Sequence, residues 1–447
     1  MTSDAFSRKV RSAILTAYSD SNDSMKFSLI FASILFVHST GALVNSSFVD
    51  FGTYLRSGIG MNSKGGDQVC FSNPGAVGNE FRVGNECTTY GELVLTTFLK
   101  RRTEKDPLYG YGQLRFAYGP PGNTNWEYAN GDNPIAVRET YAEIGGIGKQ
   151  EISFWVGNRF YRDQEMYMND FFYFGDTSGN GGGIGRIPFF LKGKLYAAVL
   201  RETKTNKTDN GNLAMTLLDL RAKGMQLGRN LQLNLWFGHG FSSGGKDIDT
   251  LIEYNDPSGQ VYGAILQKGF DKGFNHFAVV YGNGLLHQFN LFGDVTLTKG
   301  SPEALAQEKA KRLRIVDHLT YDLTDRFSFH FGTTLEIRDN GSDRNSREVW
   351  YNAGFHPVYF IDENFQLTGQ IGTSVVESEG SPARRMTRLT FAPQVGLRKG
   401  IWNRPIIRAF YSRTFWSRSN RGQIGRGTFY ENETSGTNIG LQMEIWF

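Results

Sequence analysis

The chain is 447 residues long and carries 48 Lys and Arg against 44 Asp and Glu, for a net charge of +4 and a pI near 8.8. The two signs are interspersed, so the charge does not form the basic stripe that nucleic-acid binding requires. Glycine (54), phenylalanine (35) and tyrosine (20) are abundant while apolar residues reach only 39%, a balance that argues against a Leu- and Ala-rich soluble enzyme and suits short strands with many turns.

From the N-terminus, the one long apolar run is Phe27 to Val37, preceded by Met25-Lys26 and followed by Thr40-Gly41-Ala42, small residues of the kind signal peptidase accepts. At about a dozen residues it is short for a spanning helix, which needs roughly 20. The expected division is an N-terminal extension and signal peptide over residues 1–42 and one exported unit over residues 43–447. Residues 1–24 are polar: either they precede a true start at Met25, or they lengthen the charged region of the signal. After Ala42 no apolar stretch approaches the length of a spanning helix. The exported product is therefore periplasmic, secreted, or embedded as a barrel, since a closed sheet satisfies every backbone group in lipid.

Cys70 and Cys87 flank a segment rich in Gly and Asn, compatible with a disulfide in an oxidising compartment. No further ligands lie near them to make a metal site. His38, His239, His276, His287, His318, His330 and His356 are scattered without metal-ligand spacing. Gly179–Gly183 is glycine-rich but lacks the Lys-Ser/Thr ending of a phosphate loop, and it reads as a flexible turn. No cofactor is expected, and no Ser-His-Asp arrangement is supported by spacing, so the chain does not read as an enzyme.

Period-two alternation, the signature of a sheet with lipid on one face and water on the other, recurs along the chain. It appears at Phe51–Arg56, Gln113–Tyr118 and Leu389–Leu397, with turn clusters such as Asp339–Asp343 and Ser378–Pro382 between runs. Lys299 to Arg314 is charged enough to be a loop or short helix outside the sheet. The C-terminus alternates best: Ile439, Leu441, Met443, Ile445 and Phe447 are apolar, while Asn438, Gly440, Gln442 and Glu444 are not. A terminal aromatic on such a strand resembles the recognition tail of bacterial outer-membrane proteins.

Several blocks, in order along the exported chain, resemble the maltoporin family. They are Val49–Gly60; Cys70-Phe71 followed by Phe81–Leu93; Asn125-Trp126-Glu127 with Arg138-Glu139; Gly157–Tyr161 running into Met168–Tyr173; Lys272–Asn275; Ile401–Pro405; and Gln442–Trp446. The match is strong to about residue 185 and at the end, and weaker between. The resemblance implies an all-β transmembrane antiparallel barrel of about 18 strands in the bacterial outer membrane, with long extracellular loops and a third loop folded inward. It further implies a homotrimer that passes oligosaccharides, maltodextrins above all, by passive diffusion, and a disulfide between Cys70 and Cys87 in the first loop.

In that family an arc of aromatic rings stacks on successive sugars. Carried over by motif, the arc here is Tyr54, Tyr90, Trp126, Phe274 and Trp446, with Trp126 reaching into a neighbouring subunit's pore. Strand parity agrees for Tyr54, Tyr90 and Trp446, which fall on the polar faces of their strands. The polar track beside it is Arg56, Arg82, Glu92, Arg138, Glu165 and Asp170, whose mixed charges offer donors and acceptors to sugar hydroxyls. Three positions depart from the family. Arg162-Asp163-Gln164 shifts or replaces an Arg expected just before Glu165, Phe172 stands where a Tyr is expected, and an expected aromatic falls on Ile361 unless Phe360 takes its place. A more acidic or wider constriction would follow, so the preferred sugar need not be a maltodextrin. The rival readings are a channel for another sugar such as sucrose or one of weak selectivity, an outer-membrane enzyme, and a periplasmic carbohydrate-binding sandwich.

Overall fold

An isolated strand with one greasy and one polar face leaves backbone groups unpaired along both edges. Closing the sheet on itself pairs them all, which a bilayer demands. The computed structural model describes residues 48–119, 135–149, 151–208, 211–290 and 298–447; the signal expected over residues 1–42 lies outside them. Residues 51–447 form one compact unit. Its wall begins with Val49–Asn62 (β1), Tyr90–Lys100 (β2), Tyr109–Tyr118 (β3), Ile135–Gly145 (β4), Ser153–Arg159 (β5) and Gly179–Pro188 (β6). It continues with Lys194–Thr208 (β7), Gly211–Gly228 (β8), Leu231–Ser242 (β9), Ser258–Phe270 (β10), Gly273–Asn283 (β11) and Lys311–Thr324 (β12). Phe327–Asp339 (β13), Arg347–Phe360 (β14), Phe365–Ser378 (β15), Arg384–Gly396 (β16), Ile406–Trp416 (β17) and Ser435–Trp446 (β18) complete it.

These 18 strands pair neighbour to neighbour, and β18 returns to β1, with Tyr54 opposite Trp446 and Arg56 opposite Glu444. The barrel is an inside-out protein. On β18, Ile439 is 52% exposed on the outer face while the lumen-facing Glu444 is fully buried. Connections on one rim are mostly long and those on the other mostly short, as outer-membrane barrels arrange their extracellular and periplasmic ends.

The lumen is filled from the extracellular rim. Residues 63–89 (the first loop), 160–178 (the third loop) and 284–290 fold inward, and Phe71, Phe81, Met166, Met168 and Leu286 are buried by it. Wall glycines make the sockets: a Cβ on Gly372 would come within 2.1 Å of the Phe81 ring, and one on Gly436 within 2.2 Å of the Phe71 ring. The third loop carries two short paired strands, Asp163–Met166 and Phe171–Phe174.

Two local expectations are corrected. Gly179–Gly183 is not a turn but the opening of β6, paired with β5 from Arg159 opposite Gly179 onward. The segment Lys299 to Arg314 divides: Pro302–Lys309 forms a helix (α1), capped by the Ser301 side chain, which accepts from the Ala304 N–H at 3.1 Å. Its last residues, Lys311 to Arg314, belong to β12.

Candidate functional site

Register sets the inward aromatics. The pairing of β1 with β18 puts Tyr54 beside Trp446, ring centres 6.4 Å apart and planes 18° from parallel, and Tyr90 on β2 follows at 6.1 Å from Tyr54. Tyr167, on the third loop, meets Trp446 edge-on at 6.2 Å. The Arg404 guanidinium lies 3.9 Å from the centre of the Trp446 ring and holds it in place.

The charged groups gather beside these rings. Arg56 pairs with Glu86 at 2.6 Å and with Asp170 of the third loop at 2.7 Å. Arg82, nearly buried in the first loop, pairs with Glu86 at 2.6 Å and Glu444 at 3.1 Å and donates to the Tyr54 hydroxyl. The Tyr90 hydroxyl donates to Glu92 at 2.5 Å, and Glu92 also pairs with Arg115 at 2.6 Å. The Tyr167 hydroxyl donates to Glu444 at 2.7 Å and accepts from Arg404 at 2.8 Å. Two buried loops are thus clamped to the wall by charge-assisted bonds, the kind that hold geometry most firmly.

A cavity of about 670 Å³ runs between the third loop and the wall of β1–β5, and Tyr54, Tyr90, Arg56, Glu92, Glu165 and Asp170 all line it. Glu165 opens to the lumen, yet burial by the surrounding protein raises its carboxyl above the usual range. Arg138 is exposed, its guanidinium 5.2 Å from the centre of the Phe160 ring. Such a surface offers apolar faces, donors and acceptors together, the three things a sugar ring presents in return. Among the described residues no group of three or more His, Cys, Asp or Glu side chains is placed to hold a metal ion.

Not every expected residue joins this group. Phe274, on β11, lies apart among His276 (4.7 Å) and His318 (5.7 Å). Trp126 lies outside the described residues. Cys70 and Cys87 are joined by a disulfide that closes the end of the first loop, their Cα atoms 5.8 Å apart.

The three departures resolve in different ways. Asp163 does not face the lumen cavity; Arg221 (2.8 Å) and Lys223 (2.7 Å) hold it against the wall. Arg162 lines the cavity instead, its guanidinium between the Phe160 and Phe172 rings at 4.0 and 3.9 Å. The constriction therefore keeps its cation, and the expected gain in acidity at Asp163 does not arise. Phe172 lines the cavity without a hydroxyl. Ile361 sits half exposed in the turn after β14, whereas Phe360 points inward and is buried with Val358 and Ile401.

Sequence reasoning missed Tyr167 because a loop has no period to test, and it left open whether Arg162 or Asp163 takes the place of the expected Arg; Arg162 is the one that lines the cavity. Arg404 and Trp402 did carry a signal, since both lie in the Ile401–Pro405 block that contributed to the family resemblance.

A family model described as LamB porin matches residues 49–447. Among solved structures, a BenF-like porin from Pseudomonas fluorescens Pf-5 is similar with a TM-score of 0.47 and 10% identity, over 89% of this chain and 99% of that one. OccAB2 of Acinetobacter baumannii gives 0.46 and 10%, over 90% and 99%. The outer membrane channel DcaP of Acinetobacter baumannii gives 0.43 and 11%, over 89% and 97%.

Proposed function

The chain belongs to the LamB porin family, and from that premise we propose that it is a channel for the passive diffusion of maltose- and maltodextrin-type oligosaccharides. That it is an outer-membrane β-barrel channel for sugars or other solutes follows from the family and the closed 18-stranded sheet. The maltodextrin reading rests on one observation above others: Tyr90, Tyr54 and Trp446 form a run of rings at 6.1 and 6.4 Å on the lumen wall, with the charged groups of the first and third loops beside it. Each ring can contribute about 1 kcal/mol by stacking. Several in succession hold a sugar chain loosely, and loose holding is what conduction needs: a solute must be attracted enough to enter and released readily enough to leave.

In this reading Tyr54, Tyr90, Trp126, Phe274 and Trp446 stack on sugar rings, while Arg56, Arg82, Glu92, Arg138, Glu165 and Asp170 exchange hydrogen bonds with hydroxyls. Three copies of the chain assemble, each Trp126 reaching into a neighbour's pore, after removal of the signal in residues 1–42. No cofactor takes part, and members of the family are channels rather than enzymes. A second reading, a sucrose-like solute, is favoured by Phe172 and Ile361, which remove a hydroxyl and an aromatic face from positions where the family has them.

Liposome swelling with a panel of sugars separates the two. Swelling that persists from maltose through longer maltodextrins, faster than for other sugars of the same mass, supports the first reading. Preference for sucrose, or rates that follow mass alone, overturns it.

A further inference from the structure

The third loop divides the lumen. Asp170 and Phe172 line the cavity of about 670 Å³ on one side of it and a second cavity, of about 380 Å³, on the other. The second falls within the about 300–1,000 Å³ of small-molecule sites. Its far wall is the extracellular end of β12, from which Arg312 and Arg314 face inward, and Tyr54, Tyr90 and Trp446 do not line it.

Arginines outnumber carboxylates along this wall. Among the described residues Glu336 on β13 is shared by three guanidiniums, those of Arg314 at 2.5 Å, Arg338 at 2.6 Å and Arg312 at 3.2 Å. Arg338 also reaches Glu348 on β14 at 2.7 Å, as does Arg384 on β16 at 2.7 Å. Four cations thus rest on two anions, and both arginines at the cavity have donors left over. Arg314 is only 7% exposed and uses Nε on Glu336, while its two Nη atoms make no hydrogen bond among the described residues. Arg312 makes one long bond through an Nη atom, and its Nε is buried without a partner. A buried guanidinium with idle donors is costly unless something negative meets it.

The rest of the lining suits a sugar better than a bare ion. The Arg314 guanidinium lies 4.8 Å from the centre of the Phe289 ring and 5.2 Å from that of Phe171, contacts that fix it and leave apolar faces beside it. Asp176, on the loop side, accepts from the Ser178 hydroxyl at 3.0 Å, and the Asn290 side-chain oxygen is buried without a hydrogen-bond partner. Both are acceptors that hydroxyl groups satisfy. Asp170, the other carboxylate of the lining, is paired with Arg56 at 2.7 Å.

We propose that this cavity is a second solute site, one that takes sugars bearing a single anionic group, a phosphate or a carboxylate. The anionic group lies on Arg312 and Arg314, and hydroxyls turn toward Asp176 and Asn290. Phosphate and carboxylate suit a guanidinium alike, because each accepts a pair of parallel N–H donors. The site is independent of the maltodextrin reading: it lies across the third loop from the Tyr54 and Trp446 rings and needs only a conducting lumen.

The test is block of single-channel current in a planar bilayer by glucose-6-phosphate, glucuronate, glucose and inorganic phosphate, in wild type, Arg312→Gln and Arg312→Lys. Arg312→Gln leaves Glu336 paired with Arg314 and Arg338, so the wall keeps its charge pairs. The expected result is saturable block by an anionic sugar at concentrations where glucose has no effect. Arg312→Gln should weaken it about tenfold, the loss of one charge-assisted hydrogen bond, and Arg312→Lys should keep most of it. Block by both anionic sugars supports a site that reads charge, and block by one alone supports a site that reads phosphate or carboxylate. Anionic sugars no more effective than glucose overturn the proposal, as does equal block in wild type and Arg312→Gln. Inorganic phosphate as effective as glucose-6-phosphate overturns the assignment to a sugar.

Discussion

Arg82 shows how much a single side chain can hold in a polar core. Its guanidinium faces Glu86, Glu444 and the Tyr54 hydroxyl, and both carboxylates are buried with it. Arg82→Met removes one cation from each carboxylate, and because Arg56 still pairs with Glu86 and Arg404 and Arg408 with Glu444, the cost stays below the roughly 3 kcal/mol of a buried pair left uncompensated. The folded barrel should then lose resistance to heat denaturation in detergent, and a variant as heat-resistant as wild type would contradict this account. Glu80 makes the converse case. It is buried in the first loop, and burial raises its carboxyl pKa, although hydrogen bonds from Ser374, Asn352 and Trp350 pull the other way. A raised carboxyl contributes stability that is fully present below the ordinary Glu pKa and lost as the pH climbs through the raised one. Wild type should therefore lose stability relative to Glu80→Gln as pH rises, measured as heat-denaturation midpoints across a pH series. Parallel curves would show that Glu80 is not what titrates.

The loops depend on the wall glycines. Gly372 is a socket for Phe81, so Gly372→Val must displace the ring and with it the first loop. Overpacking of this kind costs about 1–3 kcal/mol. Single channels of that variant should be noisier and less uniform in conductance, because the first loop, through Arg82 and Glu86, is tied to Arg56 and Asp170 at the constriction. Uniform wild-type conductance would argue that the loop does not position the site. The same glycines explain what was hard to read. Alternation marks a strand only where side chains alternate, and Gly179–Gly183 has almost none to show, so a wall strand passed for a turn. Tyr54, Tyr90 and Trp446 were legible because they sit on strands of regular parity. Asp163 was not, because in the third loop only the partners Arg221 and Lys223 decide which way it points.

At the scale of the whole molecule, alternation and the absence of a spanning helix were enough to favour a barrel. Neither could give 18 strands, closure of β18 on β1, or inward loops; those came from the resemblance, because the loops' long-range contacts leave no periodic trace. The account makes the interior polar and charged and the exterior apolar, with a stacking surface along one wall, so conduction and sugar binding should occur in the same lumen. The most direct test is single-channel current in a planar bilayer while maltohexaose, and then sucrose, is titrated. The account predicts saturable block by maltohexaose, stronger than for shorter maltodextrins and weakened on the order of fivefold by Trp446→Ala, the loss of one stacking contact. Open channels indifferent to both sugars would contradict it.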